Sequence, residues 1–220
     1  DQNGNQSELP IEFPVSKFLK LLPKTISVNI EGRDVKIRAW LYECKGISEF
    51  IVPVFFLDTN IESNSDWDRN LTKYLYGGDN KYRLAQEIIL GVGGVKILQA
   101  LGYTTIDRYH MNEGHAAFGT LELYNQSNDV EKVRKQCVFT THTPVPAGHD
   151  QFDLDLAKNM LGNLLPDFIL GDVTFENRLN MTRLALFFSH YVNGVAKKHG
   201  EVSRMMFPGY SIDSITNGVH

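Results

Sequence analysis

Apolar and polar positions alternate early in the chain. Ile26, Val28 and Ile30 are spaced by polar residues, as are Val35, Ile37, Ala39 and Leu41, and Glu31-Gly32-Arg33-Asp34 between them has turn composition. This pattern predicts a β-hairpin. Ile51 to Leu57 is apolar without alternation, which predicts a strand covered on both faces in a parallel or mixed sheet. Asn60 to Trp67 is polar and reads as a surface loop. From Lys81 to Leu101, Leu84, Ile88, Val95 and Leu98 beside Ala85, Ile89 and Val92 form a broad stripe at helical spacing, closed by Gly102. Ile106 to Met111 reads as a short strand, Glu113 to Tyr124 as a helix, and Cys137 to Thr141 as a strand. Asn180 to Lys197 reads as one long amphipathic helix and Ser211 to Thr216 as a strand. Strands alternating with helices from Ile51 onward point to an α/β domain with a mainly parallel sheet, flanking helices and an amino-terminal hairpin.

Composition narrows the function. The 220 residues carry 22 Lys+Arg against 26 Asp+Glu, a net charge of -4, which lacks the basic excess that holds a nucleic-acid backbone. Cys44 and Cys137 are the only cysteines, so a disulfide framework is excluded and a reducing, cytoplasmic setting is expected. No apolar run is long enough for a bilayer, and no membrane partner is expected. Residues 1–10 are expected to be frayed. Because the last strand has no following cover, His220 is expected to be a truncation point and the chain a single partial domain.

In an open parallel sheet, ligands bind beyond the carboxyl ends of the strands. Asp58 to Asn60, Asn112 to His115, His142 to Pro146 and Asn217-Gly218 follow predicted strands. Each set also has ordinary turn composition. His110 and His115 do not suit a helical metal site, since five residues turn them about 140° apart. Gly91-Val-Gly-Gly94 lacks the context of a nucleotide loop and reads as close helix packing, while Lys197-Lys-His199 reads as the solvated end of a helix. No serine elbow or activated cysteine is present. Carboxylates, imidazoles and amides remain, a set suited to sugar hydroxyls, which need both donors and acceptors.

Phe56-Leu-Asp-Thr59, Leu75 to Asp79, Arg83-Leu-Ala-Gln-Glu87, Gly91 to Gly94, Tyr109 to His115, Thr140 to Asp150, Val192 to Ala196, His199 and Thr216 to His220 resemble, in order, segments of the α-glucan phosphorylase family, most of all its shorter bacterial and archaeal type. The resemblance spans about Ile26 to His220. It implies a two-domain glycosyltransferase (GT-B) fold with two Rossmann-like domains. The activity implied is phosphate attack at glucan non-reducing ends, releasing α-glucose 1-phosphate with retention. This chain resembles the second half of the amino-terminal domain, and the carboxyl-terminal domain with the pyridoxal phosphate lysine is absent from it, so no cofactor is expected on this chain.

By the same resemblance, His142 and Asn217 match residues that hydrogen-bond one glucosyl unit, His142 partly through its backbone. Glu113 and His115 match an acid and a histidine beside the catalytic pocket, so Glu113, His115 and His142 are the catalytic candidates. Asp58 and Asn60 match substrate-side residues of the loop that forms a mobile gate in animal enzymes, although the segment from Asp58 to Asp66 is shorter here. No metal ligand is expected. The implied partners are an α-glucan or maltooligosaccharide and phosphate; a homo-oligomer is compatible with the resemblance. The alternatives are a nucleotide-sugar glucosyltransferase of the glycogen or starch synthase type, and a non-catalytic carbohydrate-binding segment. The isolated chain is expected to be inactive.

Overall fold

A computed structural model describes residues 13–74, 78–145 and 148–218. The expectations for residues 1–10 and His220 therefore lie outside the described residues. Helix α1 (Val15–Phe18) leads into β1 (Lys20–Ile30), β2 (Arg33–Lys45) and β3 (Ile51–Asp58), followed by α2 (Asp66–Arg69). Then α3 (Asn80–Ile88) runs through a π-helical turn at Ile89–Gly93 into α4 (Gly94–Ala100). Next come β4 (Tyr109–Asn112), a 3-10 turn at Gly114–Ala116, α5 (Phe118–Ser127), α6 (Val130–Gln136) and β5 (Cys137–Thr141). They are followed by β6 (Gln151–Asp153), α7 (Leu154–Leu161), α8 (Leu170–Val173), β7 (Thr174–Phe175) and β8 (Arg178–Asn180). The remaining elements are α9 (Met181–Phe187), β9 (Tyr191–Gly194), α10 (Lys197–Met206) and β10 (Asp213–Ser214).

The strands form three sheets rather than one mainly parallel sheet. Among the described residues only β10-β9-β5-β4 is parallel, while β1-β2-β3 and β6-β8-β7 are antiparallel. The predicted hairpin is present, with Val28 opposite Val35 and Ile26 opposite Ile37. Its inner face joins the core through Val28, Ile30, Val35 and Ile37, all fully buried, against Leu84, Ile88 and Val92 of the helical segment. Truncating a side chain such as Ile37 to Ala in this setting costs about 2–5 kcal/mol.

The strand at Ile51 to Leu57 exists but is not covered on both faces. It is the outer strand of the meander, with Val52 50% and Phe56 49% exposed. Only residues 46–50 separate it from β2, a connection too short for a parallel crossover, so antiparallel pairing is the geometric outcome.

The long helix expected over Asn180 to Lys197 is two elements. Helix α9 ends at Phe187, and Tyr191–Gly194 become β9, the strand between β5 and β10. Tyr and Val favour a strand, and Asn193-Gly194 disfavours a helix. Lys197 to His199 accordingly open α10 instead of closing a helix, and His199 is buried, its Nδ1 accepting from the Val195 amide at 3.2 Å. The strand expected over Ser211 to Thr216 is paired only at Asp213 and Ser214; Ile212 is buried but Ile215 is 55% exposed.

The stripe from Lys81 to Leu101 is helical as predicted, and Gly91 and Gly93 serve close packing, whereas Gly94 has nothing within 4 Å of its Cβ position. A Cβ on Gly91 would stand 2.6 Å from the Gly119 amide nitrogen and 3.0 Å from the Ala116 carbonyl oxygen. This approach seats the helix directly against the 3-10 turn and α5, fixing the distance between α3 and the segment after β4.

Candidate functional site

Because β4, β5, β9 and β10 run parallel, the residues following them lie along one edge of the sheet. That edge receives Glu113 to His115 after β4, His142 after β5 and Asn217 after β10. Behind it, Thr140 Oγ1 donates to Asn193 Oδ1 at 3.0 Å, so its single proton is committed and His110 Nε2, 2.7 Å away, is the donor to it. His110 is thereby held on the sheet while His115 takes other partners.

Glu113 adopts φ 64° and ψ 176°, a backbone region used almost only by glycine and costing about 1–3 kcal/mol for other residues. Its amide donates to the Thr140 carbonyl at 2.9 Å, extending the β4–β5 ladder by one bond. Its Oε1 accepts from Thr141 Oγ1 at 3.1 Å, from the Thr143 amide at 2.9 Å and from the His142 amide. The imidazole of His142 and the side chain of Asn217 make no hydrogen bond among the described residues. Asn217 is exposed and is held by its amide donating to the Val195 carbonyl at 3.1 Å.

His115 joins a four-residue cluster that sequence reasoning did not assemble. Arg83 and Glu87 come from one face of α3, and Asp150 from the residue before β6. His115 Nδ1 is 3.0 Å from Asp150 Oδ2 and 2.8 Å from Arg83 Nη2. Arg83 Nη2 also donates to Asp150 Oδ2 at 3.1 Å, and its Nε lies 3.2 Å from Glu87 Oε1. The Asp150 hydrogen bond, then Glu87, raise the His115 pKa to about 9. Burial pushes Glu87 up to about 8, with the neighbouring Asp150 adding to the effect. Burial also works against charge on Asp150, but hydrogen bonds from His115, Glu87 and Arg83 outweigh it and hold that carboxyl far below its usual range. Arg83 and Glu87 were visible in the sequence as an i, i+4 pair; the join to Asp150 has no local signal.

Glu87, His115 and Asp150 each offer an atom within 4.8 Å of the others, close enough for a metal ion. The Arg83 guanidinium already sits against all three and supplies the positive charge, so the geometry is that of a salt-bridge cluster. Asp58 and Asn60 lie elsewhere, Asp58 as the last residue of β3 in the antiparallel meander and Asn60 just beyond it, not on the parallel sheet edge. Asp58 Oδ2 accepts from Arg38 Nε at 2.8 Å and Trp40 Nε1 at 2.9 Å, and its Oδ1 from the Asn60 amide at 2.7 Å. Asn60 Oδ1 accepts from Arg69 Nε at 3.0 Å. The following loop is anchored by buried Asn64, whose side chain exchanges hydrogen bonds with both backbone groups of Lys36.

No family model matches the chain. Among curated proteins it is 35% identical to the maltodextrin phosphorylase of Thermococcus litoralis over a 248-position alignment that takes in 100% of this chain and 29% of that relative. It is 37% identical to the glycogen phosphorylase of Mycobacterium tuberculosis over 207 positions, 77% of this chain and 24% of the relative. With the glycogen phosphorylase of Aquifex aeolicus the identity is 32% over 247 positions, 98% of this chain and 34% of the relative. The chain thus spans 24% to 34% of the length of these curated relatives.

Proposed function

The chain belongs to the glycogen and maltodextrin phosphorylase family, as a segment of it, and on that premise we propose that the protein carrying it is an α-1,4-glucan phosphorylase to which this segment supplies one wall of the glucosyl site. The observation that carries the reading is the delivery of Glu113, His115, His142 and Asn217 to one edge of the parallel sheet. The substrates are an α-glucan or maltooligosaccharide and phosphate, and the product is α-glucose 1-phosphate. His142 and Asn217 have side chains open for sugar hydroxyls, and neither needs to act as a nucleophile. Residues 1–220 form part of the amino-terminal catalytic domain of a two-domain GT-B enzyme in this reading. In this reading Asp58 braces the meander through Arg38, Trp40 and the Asn60 amide, while exposed Asn60, its side-chain oxygen taken by Arg69, keeps its amide nitrogen open toward substrate.

The family reading brings pyridoxal phosphate with it. No lysine among the described residues is buried, and the two half-buried ones are engaged elsewhere, Lys81 with Glu31 and Lys96 with the Ser27 carbonyl. None fits a Schiff-base lysine, so no step is assigned to the cofactor in this segment. No helix among the described residues is long and apolar enough to cross a membrane.

The test is phosphate-dependent release of glucose 1-phosphate from maltooligosaccharides by the complete polypeptide that carries this segment. Sugar transfer from a nucleotide donor, with no phosphorolysis, would replace this reading by the synthase one. Identity to phosphorylases along the whole chain favours the first outcome.

A further inference from the structure

Three facts about Glu113 belong together. Its backbone occupies a region where glycine alone is at ease, yet the residue is not glycine. Next to it, Gly114 has no room for a side chain, since a Cβ would stand 2.9 Å from Met181 Cβ and 3.2 Å from the Met181 carbonyl carbon, so the chain after Glu113 runs tight against α9. And the strained backbone aims one carboxylate oxygen at the end of β5, where it gathers the Thr141 hydroxyl and two successive amides.

Those amides, of His142 and Thr143, lie just past the last ladder residue of β5. Strand pairing no longer serves them, and backbone donors left unpaired are costly. Consecutive N–H groups converging on one point form an anion-binding nest, and here the anion is a side chain of the neighbouring strand's loop. A carboxylate oxygen committed to three donors on the protein is occupied in shaping the chain.

We propose that Glu113 is a positioning residue: its carboxylate holds the backbone from Thr141 to Thr143 and thereby sets where His142 stands on the sheet edge. This rests on the reading of that edge as a glucosyl site and deepens it, by moving Glu113 from the reacting groups to the framework that orients them.

Two substitutions in the complete polypeptide separate these roles. Glu113→Gln keeps the shape and an acceptor oxygen but loses the charge; Glu113→Gly removes the carboxylate while relieving the backbone strain. Amide hydrogen exchange at His142 and Thr143 is read alongside KM, kcat and the pH profile of phosphorolysis with maltooligosaccharide. The Gly variant is expected to exchange about tenfold faster or more at both amides and to raise KM by a similar factor, as befits lost hydrogen bonds to a charged acceptor. The Gln variant, which keeps an acceptor oxygen at weaker strength, is expected to fall between wild type and the Gly variant in exchange and KM, with an unshifted pH profile. Loss of kcat in Gln as complete as in Gly, with the amides still protected, would make Glu113 an acid or base and overturn the proposal. Unchanged exchange in the Gly variant would overturn it too. Should the wild-type polypeptide lack phosphorolysis, the functional reading falls, while hydrogen exchange still decides whether Glu113 positions the loop.

Discussion

Asp150 Oδ2 stands 3.0 Å from Nδ1 of His115, a contact made across 35 residues of chain and shared at 3.1 Å by the Arg83 guanidinium. A guanidinium cannot accept a proton, so a charged His115 gives its Nδ1 proton to Asp150, and that one carboxylate is shared by two cations. The pair ties the turn after β4 to the start of β6, and through Arg83 ties both to α3.

This pair makes stability depend on pH in a definite direction. The pKa of His115 is raised from 6.5 to about 9, so its contribution is complete below 6.5 and is lost as the pH climbs through 9. Asp150 is held low, so its contribution is present above 3.8 and is lost as the pH falls below that value. The urea midpoint is expected to decline from pH 6.5 to 9. A midpoint that stays level across this range in the wild type would contradict the assignment.

Glu87 adds a second, separable dependence. Burial raises it from 4.5 to about 8, so the neutral form suits the fold, and stability drains away as the pH rises between those values. Glu87→Gln stays neutral throughout. The variant is expected to lose less stability than wild type between pH 4.5 and 8, read as the difference in denaturation midpoint at the two ends. Equal losses in both proteins would show that Glu87 ionises freely.

How far the sequence foretold this arrangement depended on the range of each interaction. Val28 and Val35 flank their own turn, so alternation and the turn residues were enough to place the hairpin. Ile51 to Leu57 announced a strand, but a continuous apolar run says nothing about which sheet it joins; the five residues before it held that information. Tyr191 and Val192 fit a helical stripe as well as a strand, and only their place between β5 and β10 decides between the two. His142 and Asn217 were singled out because each follows a predicted strand, and the structure brings both to the same end of the parallel sheet. Asp150 was not assembled with His115, because the sheet topology that joins them leaves no trace in local spacing.

The π-helical turn gives a test of packing with an internal control. A methyl on Gly91 would press on the backbone of Gly119, which has no flexible end to move aside. Three residues on, Gly94 has nothing within 4 Å of its Cβ position and helical φ of -60°. Gly91→Ala is expected to destabilise by about 1–3 kcal/mol through overpacking, and Gly94→Ala to stabilise by about 0.4–1 kcal/mol through reduced unfolded-state entropy. Chemical denaturation of the two variants side by side is the check. If Gly91→Ala were neutral, α3 would not be pinned by this contact, and the distance from Arg83 to His115 would need another cause.

The sheet edge itself is tested by the two side chains that the fold does not use. His142 is held through its amide by Glu113, and Asn217 through its amide by Val195, while the imidazole and the carboxamide are left open. Removing either should therefore leave stability nearly unchanged and act on ligand alone. In the complete polypeptide, His142→Ala and Asn217→Ala are each expected to lower kcat/KM for maltooligosaccharide phosphorolysis by about 1–3 kcal/mol, the scale of a lost sugar hydrogen bond, with denaturation midpoints close to wild type. If both bind the same glucosyl unit, the double variant should lose less than the sum of the single losses, because groups sharing one ligand couple. Strict additivity would place the two residues on different parts of the substrate. A fall in stability matching the fall in activity would instead return both to the framework of the fold.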